Sequence, residues 1–142
     1  MAGEAFSGIH CAKMTIGRLH IYLASTERGA LRVGLGLDDH LPPAQFFRRV
    51  FPDLQLIQDL RMNQPLADAV EACLHNKPPK RHLLPLHVSF TPFQKRALDA
   101  VAAIPFGQTR TYGAVASAMG SPQGARAVGQ VMGRNPLPLI FP

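Results

Sequence analysis

The sequence predicts an α+β chain in two parts: a small antiparallel sheet with helices, followed by a mostly helical and more basic second part. Three observations predict it. Residues 14–24 and 30–37 alternate apolar with polar or small residues. From residue 91 onward the apolar residues recur at three- and four-residue spacing between Gly and Pro punctuation. Between these regions the stretch NKPPKRHLLPL at 76–86 has three prolines and a basic cluster, as an exposed linker does, which sets the domains at 1–85 and 86–142.

The elements follow in order. In MTIGRLHIYLA, residues 14–24, Leu19, Ile21 and Leu23 share one side of a strand and Arg18, His20 and Tyr22 the other. ALRVGLGL, residues 30–37, repeats the pattern, and STERG between them, ending in Gly29, reads as the loop of an antiparallel hairpin. Pro42 and Pro43 suit a helix start, and Phe46, Phe47, Val50 and Phe51 then recur at helical spacing on a face expected to pack on the hairpin. LQLIQ, residues 54–58, is a further short strand. Leu66, Ala69, Val70, Cys73 and Leu74 form an apolar helical stripe that would put Cys73 in a core.

In the second part, Thr91 suits a helix N-cap, Pro92 the first helical position, and Gln94 the reciprocal bond of a capping box. Phe93, Ala97, Val101 and Ile104 define that helix's buried face, and Pro105-Phe106-Gly107 ends it. A second helix over 112–119 turns Val115, Ala116 and Met119 inward, with Gly120 placed as its terminating residue. Ser121-Pro122 then reads as the start of a third helix over 122–133, and two helices joined by a tight Gly-Ser turn are a helix-turn-helix candidate.

With 142 residues, 46% hydrophobic and 17% charged, the chain can bury a core, which excludes the disordered and collagen-like classes. Lys and Arg number 15 against 9 Asp and Glu, and the excess is uneven: residues 86–142 carry five basic side chains and only Asp99 acidic, residues 1–85 ten against eight. The expected partner of so basic a chain is a polyanion or an acidic surface. No run of about 18 apolar residues and no basic-then-apolar N-terminus supports a membrane span or a secretory signal, so a cytoplasmic setting is expected. Cys11 and Cys73 form neither a CxxC pair nor a disulfide framework, and His10 beside Cys11, read as a loop, lacks metal-ligand spacing, so no metal is expected.

On the third helix Val128, Val131 and Met132 form the apolar face, while Arg126, Gly129, Gln130 and Gly133 fall on the other. Each glycine costs the helix roughly 1 kcal/mol relative to Ala, so their place on an outer face suggests that another surface, such as a phosphate backbone, comes close. A weak helix with one solvated Arg accounts for the same pattern.

The run Pro105-Phe106-Gly107, Thr111-Tyr112-Gly113, Gly124-Ala125-Arg126-Ala127-Val128-Gly129 and Asn135-Pro136, with the preceding TPFQ, resembles the C-terminal domain of the O6-alkylguanine-DNA alkyltransferases, or methylated-DNA–protein-cysteine methyltransferases. A looser similarity covers the N-terminal strand–ERG–strand, helix and linker. One departure is Leu98, where bacterial members usually carry Trp, a core substitution expected to be tolerated. The resemblance implies a ribonuclease-H-like first domain, a winged helix-turn-helix-like second one, and DNA repair by single-turnover alkyl transfer. It implies no cofactor, and as partner double-stranded DNA containing O6-alkylguanine, bound by a monomer. It further implies that Arg126 enters the duplex from the minor groove and fills the gap left by a flipped guanine. Tyr112 would help turn the nucleotide outward and donate to the purine as charge develops. Asn135 would tie the recognition helix to the active-site segment. The DNA-binding set so implied is Tyr112, Gly113, Ser121, Gly124, Ala125, Arg126, Ala127 and Gly129.

In that family an Asn-Pro and a short apolar run lead to Pro-Cys-His-Arg, whose Cys takes the alkyl group. The nucleophile is then expected directly after Pro142, and the chain is expected to be truncated ahead of it, with no transfer activity of its own. Leu137, Leu139, Ile140 and Phe141, among three prolines, are expected to form an extended apolar segment of roughly 26 Å. The alternative function is a non-catalytic alkyltransferase-like damage-recognition protein, which needs a residue other than Cys after Pro142. A winged-helix regulator would need base-reading side chains that the small residues around Arg126 do not supply.

Overall fold

The computed structural model describes residues 7–38, 40–77 and 81–142. The chain divides after Val88 into two compact units. The first holds a four-stranded sheet in the order β3-β2-β1-β4, built from β1 (Ile9–Ile16), β2 (Leu19–Thr26), β3 (Gly29–Leu37) and β4 (Leu56–Gln58). β1, β2 and β3 pair antiparallel, but β4 lies parallel to β1, so the sheet is mixed rather than the antiparallel one expected. Two helices belong to this unit, α1 (Pro43–Arg48) and α2 (Gln64–Leu74).

The single strand expected over 14–24 is a hairpin. Gly17, at φ +57°, takes the left-handed conformation in a two-residue loop, and Ile16 pairs with Leu19 across it. His10 and Cys11, read from sequence as loop residues, are therefore on β1, and Cys11 is fully buried. β2 is buried on both faces, since the neighbouring residues Ile21, Tyr22, Leu23 and Ala24 are all excluded from solvent. One face packs Ile9, Cys11, Tyr22 and Ala24 with Phe47 of α1. There the Tyr22 ring stacks on Phe46 at a centroid distance of 3.8 Å, and Phe47 meets Phe46 edge to face. At the N-terminal end of α2, Asn63 donates through Nδ2 to the carbonyls of His10 and Asp59, which ties α2 to β1. Leu66, Ala67 and Val70 are the buried residues of α2. Cys73, expected in a core, is only half-buried, one turn beyond Val70 where the helix is running out.

The expected linker is partly built into the sheet edge. Ala30 donates its N–H to the carbonyl of Pro85 and accepts from the N–H of His87, both at 2.8 Å, so residues 85–87 flank β3. Pro78, Pro79 and Lys80 of that linker lie outside the described residues. The second unit, Ser89–Pro142, consists of α3 (Pro92–Ala102), α4 (Tyr112–Ala118), α5 (Ala125–Gly133) and a C-terminal turn, with no strand among its described residues. Its core is Ala97, Val101, Val115, Ala116 and Val128, with Phe93, Ile104, Met119, Val131 and Met132 packed around it. Leu98 is buried beside them on α3. No described helix is long and apolar enough to cross a membrane.

Candidate nucleic-acid interface

α3 begins as its residues dictate: the Thr91 hydroxyl accepts from the Gln94 N–H, and the Gln94 side chain accepts from the Thr91 N–H at 2.9 Å. α4 has a similar cap, not anticipated from the sequence. Thr111 Oγ1 accepts from the Ala114 N–H at 3.1 Å, and a Thr immediately ahead of a helical apolar stripe was the available signal. This cap fixes Tyr112 as the first residue of α4, where its side chain remains half-exposed.

α4 ends as the sequence predicts. Gly120 stands at φ +78°, its N–H reaches the carbonyl of Ser117, and the N–H of Ser121 reaches that of Ala116 at 2.8 Å. The third helix begins later than expected, however. Ser121 and Pro122 do not open it; Gly124 donates its N–H to the Ser121 carbonyl at 2.8 Å, closing a turn, and α5 starts at Ala125. A Cβ on Gly124 would stand 2.9 Å from that carbonyl oxygen, so the turn is reserved for Gly. Arg126 is thus the second residue of α5, and it is exposed.

Positions 126, 129, 130 and 133 share one side of α5, and the structure brings Tyr112 onto that side. The ring lies against Gly129: a Cβ built there would meet Tyr112 Cδ2 at 3.1 Å and Cε2 at 3.2 Å. Gly133, by contrast, faces open space. Ala125 and Ala127 are half-buried between this side and the core, and Gly113 makes only a 3.8 Å approach to Thr111 Oγ1. The expected set is therefore partly gathered: Tyr112, Gly129 and Arg126 share one face, and Ser121 and Gly124 form the turn that leads into it.

The charges of this unit are one-sided. Asp99, the only carboxylate of residues 89–142, is held by Lys95 at 2.7 Å. Arg96, Arg110, Arg126 and Arg134 are exposed and have no carboxylate partner among the described residues.

Asn135 stands beyond α5 and does something specific. Its Oδ1 accepts from the Leu137 N–H at 3.0 Å and its Nδ2 donates to the Phe141 carbonyl, while the Phe141 N–H returns to the carbonyl of Leu137. The segment expected to be extended is instead a closed turn, with Leu139 at φ +74°. Leu137, Ile140 and Phe141 are buried, and Phe141 meets Phe90 edge to face. The reason is local: an Asn side chain replaces the backbone hydrogen bonds that the prolines remove.

Neither thiol belongs to this unit. Burial pushes the Cys11 thiol up to about 11, with Arg48 opposing weakly, and burial also raises that of Cys73, with Arg81 opposing. Both are held in the unreactive thiol form at neutral pH. Among the described residues no cluster of three or more His, Cys, Asp or Glu could hold a metal ion.

A helical unit with exposed, uncompensated arginines and a small-residue helix face suits a polyanion, and the comparisons with known proteins name the class: a DNA-binding domain. Residues 92–142 match the family model of the 6-O-methylguanine DNA methyltransferase, DNA binding domain. Over 126 residues the chain is 32% identical to the inducible methylated-DNA–protein-cysteine methyltransferase of Bacillus subtilis, covering 87% of this chain and 68% of that protein. The constitutive enzyme of the same organism is 46% identical over 63 residues, 44% of this chain and 38% of its own length. Mycobacterium tuberculosis OGT in complex with DNA superposes with a TM-score of 0.66 at 26% identity, over 94% of this chain and 75% of that one. The chain belongs to the methylated-DNA–protein-cysteine methyltransferase family.

Proposed function

We propose that residues 89–142 form the DNA-binding and base-extruding part of a repair methyltransferase for O6-alkylguanine in duplex DNA. The observation that carries this reading is the shared face of α5, where a cation without a carboxylate partner, Arg126, stands one turn before the Tyr112–Gly129 contact. In the proposed complex α4 and α5 act as a helix-turn-helix. Arg126 occupies the space of the extruded guanine, where its guanidinium plane stacks and hydrogen-bonds. Tyr112 turns the nucleotide outward, and its hydroxyl donates to the purine. Arg96, Arg110 and Arg134 supply sequence-independent attraction to phosphates. Asn135 holds the Leu137–Phe141 turn at a fixed distance from α5.

The transfer itself is a displacement. A thiolate sulfur attacks the alkyl carbon, the new S–C bond forms as the C–O6 bond breaks, and the electron pair left on the guanine is neutralised by a proton. No electrons are exchanged, so the step requires no redox cofactor. The acceptor in this reading is neither Cys11 nor Cys73, both protonated and both on the first unit.

The test uses duplexes carrying isotopically labelled O6-methylguanine. The expected result for residues 1–142 is tighter binding to the lesion duplex than to its guanine counterpart, with no label on either cysteine. Equal affinity for the two duplexes overturns the recognition role, and stoichiometric label on Cys11 or Cys73 overturns the assignment of the acceptor.

A further inference from the structure

The missing side chain at Gly129 has two possible uses, to admit a nucleic-acid backbone or to seat a ring of the protein itself. The structure assigns the second use: we infer that Gly129 is a positioning residue for Tyr112, setting the height and tilt of its ring on α5. This inference rests on the base-extruding role proposed above for Tyr112.

Three observations carry it. The space a Cβ would take at 129 is occupied from within the chain, by Tyr112 Cδ2 and Cε2 at 3.1 and 3.2 Å from the built position, closer than the ordinary carbon–carbon separation of about 3.5–4.0 Å. Gly133, one turn further along the same side, meets nothing within 4 Å, so the contact is particular to 129 and is not a general property of a small-residue face. The ring is held at its other end by backbone, because the Thr111 cap and the first turn of α4 fix the Tyr112 Cα. The ring's base is fixed and one flank rests on Gly129, while about half of the residue is exposed. A methyl group at 129 would lift it by a few tenths of an ångström, and the hydroxyl at the far end of the ring would move further than the atoms in contact.

The consequence is a separation of binding from extrusion. Arg96, Arg110 and Arg134 attract the duplex, and Arg126 can fill the vacated stack, whatever stands at 129, whereas turning the nucleotide outward also depends on where the Tyr112 ring points.

A double-mutant cycle tests the inference, using residues 1–142 and a duplex with 2-aminopurine at the target position, whose fluorescence rises on unstacking. Gly129→Ala is expected to lower the extruded fraction relative to the stacked one by about fivefold, the low end of overpacking costs because an exposed ring can tilt aside, while the salt dependence of binding is unchanged. Gly133→Ala is expected to leave both readouts unchanged. In a Tyr112→Ala background Gly129→Ala should then have no further effect, since there is no ring left to displace. The same fivefold loss with Tyr112 already removed would overturn the inference and assign Gly129 to direct contact with DNA. The underlying reading fails differently: Tyr112→Ala alone would leave extrusion intact. Circular dichroism of each variant separates these outcomes from loss of fold.

Discussion

The two units of this chain handle charge and thiols in opposite ways. In the first, ten basic side chains face eight acidic ones, and Arg18 pairs with Asp38 while His10 Nδ1 lies 3.1 Å from Asp59. Its side chains are spent on packing, with Tyr22, Phe46 and Phe47 forming an aromatic cluster on the sheet. In the second, five basic residues face one acid, that acid is already engaged by Lys95, and four arginines project from a small helical core. These four arginines have no carboxylate partner among the described residues. The difference lies in the balance: the first unit carries nearly as many acids as bases, whereas the second keeps a net positive charge suited to a polyanion that arrives from outside.

The largest expected effect that sharpens this contrast is on the second unit's core. Leu98 is 1% exposed, so Leu98→Ala should cost about 2–5 kcal/mol and bring the helical unit near unfolding. Amide exchange should rise throughout α3, α4 and α5 while the paired amides of β1 and β2 keep their protection. Loss of protection in the sheet at the same rate would break the division into units.

A smaller effect is expected on the first unit, and it depends on pH. The folded Cys11 thiol is raised to about 11 from an ordinary value of 9.0, so the folded state holds its proton more tightly than the unfolded chain does. The resulting stabilisation is fully present below about pH 9 and is lost as pH rises toward about 11. Denaturant melts across that range should show a fall in stability that Cys11→Ala reduces without removing, because the Cys73 thiol is raised as well. An unchanged slope in Cys11→Ala would contradict the burial of this thiol.

The sequence made some of this legible and concealed the rest for identifiable reasons. The cap of α3 and the end of α4 were readable because each is a local rule acting through one side chain or one φ angle: Thr91 with Gln94, and Gly120. The β1–β2 hairpin was concealed because its loop is only two residues long. Its signal was a change of phase, with Met14 and Ile16 apolar at even positions and Leu19, Ile21 and Leu23 at odd ones, and the change falls at Gly17. Missing that phase change also left Cys11 in a loop when it lies in the core. The start of α5 was misjudged because Ser-Pro suits both a helix start and a turn, and the Gly124 N–H decides for the turn by bonding Ser121. The Leu137–Phe141 turn could not be read from apolar spacing, since it depends on where the Asn135 amide reaches. The Tyr112–Gly129 contact joins two helices and has no sequence periodicity at all.

In the function proposed above, the second unit's face replaces a base and does more than attract phosphates. The most direct measurement is the affinity of residues 1–142 for an O6-methylguanine duplex at fixed salt, comparing Arg126→Ala with Lys95→Ala. Both remove one positive charge from an exposed position of the same unit. If Arg126 fills the stack where a guanine has left, its loss should exceed that of Lys95 by about tenfold or more, since stacking against a base is worth about 1–3 kcal/mol. Equal losses for the two variants would contradict the account, leaving Arg126 as one cation among several.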